Sequence, residues 1–132
     1  MSTPQEHEAG LVEFVVPAKR GRLLGFISNP RTRHKFVDDL WHFRDWDSES
    51  VVQLPSSRHK AEDVLVELTR RGARGDVHLG TRNLDGRSLA LVDAIRAVVG
   101  SSSGTVVSCI PGRLAYFEGE SPGDRCILQL RR

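Results

Sequence analysis

The stretch that most constrains the fold of this chain is residues 104–120, GTVVSCIPGRLAYFEGE. It contains the longest β-branched run in the sequence, residues 105–110, followed by Pro111-Gly112 and a second apolar run at residues 114–117. Two such runs with a Pro-Gly between them are typical of neighbouring strands joined by a turn. A two-residue hairpin needs a positive φ at its first central residue, whereas a proline ring holds φ at about −65°. We therefore predict a connection wider than a minimal hairpin.

Neither face of the first of these strands is strongly polar. Period-two alternation places Val106, Ser108 and Ile110 on one face and Thr105, Val107 and Cys109 on the other. A strand with two weakly polar faces is typical of the centre of a sheet that is covered on both sides.

The clearest helical pattern follows Asn29 and Pro30, which suit an N-cap and a first helical position. At 100° per residue, one arc of this helix collects the bulky side chains Phe36, Val37, Leu40, Trp41 and Phe43. Arg33 projects into the same arc one turn earlier. It could bind a buried anion there, but we expect its guanidinium to extend outward to solvent, because helix starts usually lie near the surface.

The remaining pattern predicts a shorter helix at residues 18–28, which Gly21 and Gly25 weaken, and amphipathic helices at residues 59–71 and 88–100. Short strands are predicted at residues 77–79 and 126–130. Residues 11–16 fit a strand, the alternative being a helix that continues through Leu23, Leu24 and Ile27, and residues 51–54 fit a short strand or an anchoring turn. The predicted fold class is α+β, with about three amphipathic helices packed on a mixed or antiparallel sheet of four to five strands. We expect one domain at residues 10–132 after a flexible N-terminal tail at residues 1–9.

Charge gives weak evidence for a nucleic-acid partner. The formal net charge is only +2, from 19 basic and 17 acidic residues. The basic residues concentrate between positions 19 and 74, and the nucleic-acid interface they would form comprises Arg20, Arg22, Arg31, Lys35, Arg58 and Lys60. Asp38 and Asp39 share the helix with Arg31 and Lys35 and would repel phosphate, which counts against this interface.

The cysteine spacing and the apolar runs indicate where the protein works. Cys109 and Cys126 lack the Cys-x-x-Cys spacing of redox and metal motifs, which favours buried thiols in a reducing compartment. No apolar run approaches the roughly 20 residues of a membrane helix, and the N-terminus lacks the pattern of a secretion signal. We expect a cytoplasmic protein with no membrane partner.

A catalytic site can be built from four side chains if the predicted strands are neighbours. Arg113 would hold an anion and Glu118 or His78 would transfer a proton, with Tyr116 beside them. The alternative is that Arg113 and Glu118 are solvated charges at strand ends, that Tyr116 is an aromatic at the core edge, and that His78 is an exposed strand residue.

Other motifs indicate no metal and no cofactor. The serine-rich loop at residues 100–104 runs from helix to strand and has no lysine, whereas a phosphate-binding loop runs from strand to helix. The acidic residues Asp45, Asp47 and Glu49 lack the glycine and the distant glutamate of a calcium loop.

Three classes of function follow, in order of preference. A non-catalytic binding or regulatory module acting through protein contacts, self-association included, comes first, because the chain has a full core and no assembled catalytic motif. A nucleic-acid-binding protein comes second. A small enzyme using His78, Arg113, Tyr116 and Glu118 comes third.

Overall fold

The computed structural model describes residues 2–81, 84–101, 104–121 and 124–130. In these ranges the helices are α1 (Pro4–Gly10), α2 (Arg20–Ser28), α3 (Arg33–Leu40), α4 (Ala61–Arg70) and α5 (Leu91–Val98). The strands are β1 (Val51–Gln53), β2 (Asp76–Gly80), β3 (Ser88–Ala90), β4 (Thr105–Ile110), β5 (Leu114–Glu118) and β6 (Cys126–Gln129). The α+β class is confirmed.

All six strands form one sheet in the order β1-β6-β5-β4-β2-β3, and every neighbouring pair is antiparallel. The described part of the chain therefore contains one strand more than the upper limit expected, and five helices where about three amphipathic ones were expected. The helix that lies outside every predicted helical range is α1. Both edge strands, β1 and β3, are only three residues long.

The sheet separates two apolar cores. On one side, which we call the α4–α5 face, Val64 and Ile95 pack over Val107 of the central strand. On the other side, the α2–α3 face, Phe36 and Leu40 pack over Val106. The prediction that β4 is central and covered on both faces is confirmed.

The hairpin that joins β4 and β5 is wider than a minimal one, as predicted. Ile110 pairs with Leu114, which leaves a loop of three residues, and the register shifts between Ser108 and Ile110. The loop closes through the amide N–H of Arg113, which donates to the carbonyl of Ile110 at 2.9 Å.

The N-terminal segment differs from the expected tail followed by a strand. Residues 4–10 form α1, which begins with a capping box between Thr3 and Glu6. The strand predicted at residues 11–16 is wrong, because residues 11–14 form a 3₁₀ helix and Val15 makes only an isolated bridge with Trp46. Leu11, Phe14 and Val15 are the buried residues here, and their spacing of three and four is that of a turn of helix.

Two helix starts also lie later than predicted. The Asn29 side chain accepts a hydrogen bond from the backbone N–H of Arg31 at 3.0 Å, which makes a turn before α3. The last helix, expected from residue 88, begins at Leu91, because residues 88–90 pair with β2 and form β3. At the other end of α3, Trp41 follows the helix and is 43% exposed instead of packed.

None of the helices in the described residues has the length and apolarity needed to cross a bilayer.

Candidate functional site

The structure does not bring all four residues of the predicted catalytic group together, since His78 and Arg113 lie apart from the hydrogen-bonded Tyr116 and Glu118. His78 alternates with Val77 and Leu79 along β2, and both of these belong to the core of the α4–α5 face, so His78 points to the α2–α3 face. Tyr116 lies in the core of the α4–α5 face and Arg113 is exposed in the hairpin loop. The sheet therefore stands between His78 and the Tyr116–Glu118 pair.

Tyr116 and Glu118 form a buried hydrogen-bonded group of their own. The phenol of Tyr116 donates to Oε1 of Glu118 at 2.8 Å, and the backbone N–H of Gly100 donates to the same oxygen at 2.9 Å. The Arg125 guanidinium lies 3.4 Å from it. Burial, and then the charge of Glu118, raises the pKa of Tyr116. The first two contacts are hydrogen bonds and the third is an ion pair, and the three groups come from separate segments. The carboxylate therefore ties the end of α5 and the start of β6 to β5.

On the α2–α3 face lies a second group, which we call the buried polar cluster. It comprises His7, Glu8, Arg33, His78, Asp85 and Ser108. Nδ1 of His7 lies 2.7 Å from the hydroxyl of Ser108, and Nε2 of His78 lies 2.7 Å from Oε2 of Glu8. The two imidazole rings stack with centroids 5.8 Å apart and planes inclined by 16°.

Arg33 binds two carboxylates, so the expectation that it extends outward to solvent is wrong. Its Nε and Nη2 donate to the two oxygens of Asp85 at 2.6 and 2.8 Å, and its Nη1 donates to Glu8 at 2.7 Å. The hydrogen bonds to Asp85 are the main cause that raises the pKa of Arg33. The bidentate geometry fixes the orientation of the guanidinium plane.

Burial and charge set the protonation of the two α1 residues. Burial, and then the neighbouring His78, lowers the pKa of His7, which favours a neutral ring. Burial alone would raise the pKa of Glu8, but the hydrogen bonds from His78 and Arg33 outweigh it and lower the pKa, which favours the carboxylate.

In this cluster the Ser108 hydroxyl and the His7 imidazole lie as close together as a catalytic nucleophile and its general base do. Ser108, however, is only 1% exposed, and α1 packs over β4, where Ser108 lies. Glu8 contacts the imidazole of His78, and no carboxylate among the described residues hydrogen-bonds to the ring of His7, so this part of the chain does not supply the third member of a triad. The arrangement supports a structural contact better than a catalytic one.

Sequence reasoning missed His7, Glu8, Asp85 and Ser108. Arg33 could have indicated part of the cluster from the sequence. An arginine on the apolar arc of a helix needs a carboxylate partner if its side chain stays buried. The capping-box pattern Thr3 to Glu6 marked the start of α1.

A groove, which we call the α2 groove, opens on the outer side of the α2–α3 face with a volume of about 240 Å³. Its lining consists of Lys19, Arg22, Leu23, Phe26, Asp39, His42, Phe43, Arg44 and Asp45. The guanidinium of Arg22 lies 5.3 Å from the ring centre of Phe26, and the ammonium of Lys35 lies 5.7 Å from it. Cations over an aromatic face are attracted by its quadrupole.

A second cavity of about 330 Å³ shares Phe43 and Arg44 with the α2 groove. Trp46 lines it and packs on Phe43 and Phe117, with ring centres 4.4 and 5.2 Å away. The ring of this tryptophan therefore covers the edge of the core.

The candidate nucleic-acid residues divide between two layers. Arg20, Arg22, Arg31 and Lys35 belong to α2, α3 and the turn between them. Arg58 and Lys60 instead precede α4, on the opposite layer. Arg20 is also engaged, since its Nε donates to the carbonyl of Val15 at 3.0 Å.

The acidic loop before β1 has a structural use. Asp47 accepts a hydrogen bond from the backbone N–H of Glu49 at 3.1 Å and caps a short 3₁₀ helix. In the part of the chain that the structure describes, no group of three or more His, Cys, Asp or Glu side chains is arranged to hold a metal ion.

Comparison of the chain with protein-family models, with curated proteins and with solved structures gave no match.

Proposed function

We propose that this protein is a non-catalytic binding module that acts through protein contacts, and that the α2 groove is its contact surface. The observation that carries the proposal is the apolar floor of Leu23, Phe26 and Phe43 beneath a charged rim. An apolar centre within a polar rim is the usual anatomy of a protein interface, and aromatic and arginine side chains contribute most of its binding energy. Two large apolar side chains outside the groove lining are also exposed, Leu24 on α2 at 41% and Trp41 directly after α3 at 43%.

The charges around Phe26 indicate the chemistry of the partner. Arg22 and Lys35 both lie over this ring, and within the described residues neither has a carboxylate partner. We therefore propose a protein segment that seats one bulky apolar side chain on Phe26 and brings a carboxylate beside it. The carboxylate would pair with the two cations that the ring already orients.

The edges of the sheet favour the groove over strand addition as the mode of contact. β1 and β3 offer three residues each, and a short edge presents few free backbone groups to an incoming strand.

The acidic residues of the rim count against a nucleic-acid partner. Asp39 and Asp45 line the groove together with Lys19 and Arg22, so the cations do not form a continuous basic surface. Phosphate groups would be repelled at both positions.

The test is a selection from a random peptide-display library on the wild-type protein. We expect the enriched peptides to carry a bulky apolar residue next to Asp or Glu. Their dissociation constants should rise at least about tenfold in Arg22→Glu, because a like charge then faces the peptide carboxylate. Arg58→Glu is the matched control, since Arg58 is also exposed but precedes α4, away from the groove.

The proposal falls if no peptide is enriched, or if the enriched peptides bind Arg22→Glu as well as the wild type. Fluorescence anisotropy with short single-stranded and duplex DNA and RNA, at low and near-physiological salt, is measured in parallel. Binding that weakens steeply with salt and is lost in Arg22→Glu would replace the protein partner with a nucleic acid.

A further inference from the structure

The attachment of α1 to the sheet is unusual in its chemistry. A surface helix normally docks through an apolar stripe. In α1 the only buried side chain is that of His7, and Glu8 is half-buried beside it. His7 contacts Ser108 of β4, while Glu8 contacts His78 of β2 and Arg33 of α3. Both side chains that hold the helix down can therefore change their charge.

We propose that α1 is a latch that closes over β2 and β4 when the His7–His78 pair carries at most one proton and opens when the pair carries two. The rings stack with centroids 5.8 Å apart, so two imidazolium cations would face one another at this distance in a buried place. This inference concerns α1 and is independent of the proposed function of the α2 groove.

The fixed charges around the pair accommodate one added proton but not two. Glu8 on α1 and Asp85 in the turn before β3 are opposed by Arg33 on α3, which leaves a net charge of −1. A first proton on the pair balances this charge. A second proton creates an excess of positive charge, and it would also need a partner for Nδ1 of His78, which is buried and has none among the described residues.

The other groups that face the pair do not reverse this balance. Ser108 on β4 is uncharged, and Glu6 on α1 favours the protonated form of His7 but has a smaller effect than burial and than His78. The net result is a lowered pKa for His7, and the pKa of Glu8 is lowered as well. The docked helix therefore holds both groups in their deprotonated forms more strongly than a released helix would.

The direction of the pH dependence follows from linkage. In a released helix, His7 would titrate near its ordinary pKa of 6.5. Below this pH the released helix takes up a proton on His7, whereas the docked helix resists protonation there. Docking is therefore strongest above pH 6.5 and weakens by up to about tenfold for each pH unit below it. Protonation of Glu8 also weakens docking, but at lower pH, because the ordinary pKa of a glutamate is 4.5.

The motion is confined to α1 by the residues that follow it. Leu11, Phe14 and Val15 are buried in the core of the α2–α3 face. Gly10 packs so closely on the β4–β5 hairpin that a Cβ at this position would lie 2.3 Å from the backbone nitrogen of Gly112. Release should thus end at Gly10 and leave the sheet intact.

The test is a pH titration of the ¹⁵N-labelled protein by NMR from pH 8 to pH 4.5. We expect the amides of residues 4–10 to lose their helical shifts and their heteronuclear NOE at a midpoint between pH 5 and pH 6.5. The ring signals of His7 should titrate at the same midpoint, while the amides of residues 11–15 and of β4 keep their native shifts. Glu8→Gln, which keeps the shape of the side chain but not its charge, should show a smaller docked fraction at pH 7.5.

In His7→Gln the state of α1, docked or released, should no longer change between pH 7.5 and pH 5. His34→Gln is the matched control, because His34 is an exposed histidine on α3, and it should behave as the wild type. The proposal is overturned if α1 stays docked at pH 4.5 in a folded protein, if α1 and β4 change together, or if His7→Gln keeps the wild-type midpoint. If His7→Gln does not fold, the wild-type titration decides. Equal midpoint pH values for the His7 ring signals and for the α1 amides support the proposal, and different midpoints overturn it.

Discussion

At the scale of single residues, the structure depends on where buried charges find their partners. Arg33 pairs with two carboxylates from different parts of the chain, Glu8 and Asp85, with its side chain 20% exposed. Removing one partner from such a group leaves the other charges desolvated without compensation, which costs more than the pair itself contributes.

We expect Arg33→Met to lower the free energy of unfolding by about 1–3 kcal/mol, because Glu8 and Asp85 then lose their cation while still half-buried. Urea unfolding followed by tryptophan fluorescence measures the change. Arg31→Met is the control, since the exposed Arg31 side chain has no ion pair within the described residues, and it should change stability by less than about 0.5 kcal/mol. Equal losses in the two variants would contradict a bridging role for Arg33.

The two cysteines should be unreactive thiols in the folded protein. Burial raises the pKa of Cys109 to about 12, and burial together with the charge of Asp124 raises that of Cys126 to about 12. They also lie in the cores of opposite faces of the sheet. We expect both to react with a thiol reagent at pH 8 at least about 100-fold more slowly than the exposed cysteine of Ser2→Cys, and at full rate in urea. Rapid labelling of the native wild type would contradict this prediction.

The candidate site shows what residue patterns can and cannot predict. The alternation of β4 and β5 follows from the sequence, but the sequence does not give the side of the sheet on which β2 places His78 relative to Tyr116. Strand order and helix packing decide this, and both depend on contacts between segments far apart in the chain. His7 was assigned to a tail for the same reason, since its partner Ser108 is 101 positions away.

At the scale of elements, two glycines with opposite surroundings test how closely the helices pack. Gly104 has φ +75°, and a Cβ there would lie 2.5 Å from the backbone nitrogen of Trp41 at the end of α3. Gly25 lies in α2 with nothing within 4 Å of such a Cβ. The first glycine is needed for a close backbone approach, whereas the second only lowers helix propensity.

We expect Gly104→Ala to destabilise the protein by about 2–4 kcal/mol, because the new methyl group meets rigid backbone and the positive φ disfavours alanine. Gly25→Ala should instead stabilise it by about 0.5–1 kcal/mol. Both values come from urea unfolding curves. Similar effects of the same sign in the two variants would show that α3 does not pack on the start of β4 as described.

Elements were predictable where the local pattern and the tertiary environment agree. The strand predicted at residues 105–110 has the bounds of β4, since β-branched side chains suit a strand that is covered on both faces. The prediction failed at residues 11–16, where equally β-prone residues form a 3₁₀ helix. Burying Leu11, Phe14 and Val15 against the sheet requires helical spacing, and this tertiary demand outweighs the local preference.

At the scale of the whole molecule, one sheet separates two cores that each enclose ionisable groups. The α4–α5 face encloses Tyr116 and Cys109, which burial keeps protonated and neutral. The α2–α3 face encloses His7, which burial keeps deprotonated and neutral, and Cys126. The stability of the protein should therefore decline toward both ends of the pH scale for different reasons.

The alkaline decline can be predicted from the thiols. Their pKa values are raised in the folded state, so their contribution is complete below the unfolded value of 9.0 and is lost as the pH rises from there toward about 12. Each thiol should cost about 1.4 kcal/mol per pH unit in this range, because the unfolded chain releases a proton that the folded one retains. Urea unfolding between pH 7 and pH 10.5 measures the slope, and Cys109→Ala, less stable at pH 7, should show a shallower one. An equal slope in this variant would mean that the Cys109 thiol ionises as readily in the folded protein as in the unfolded chain.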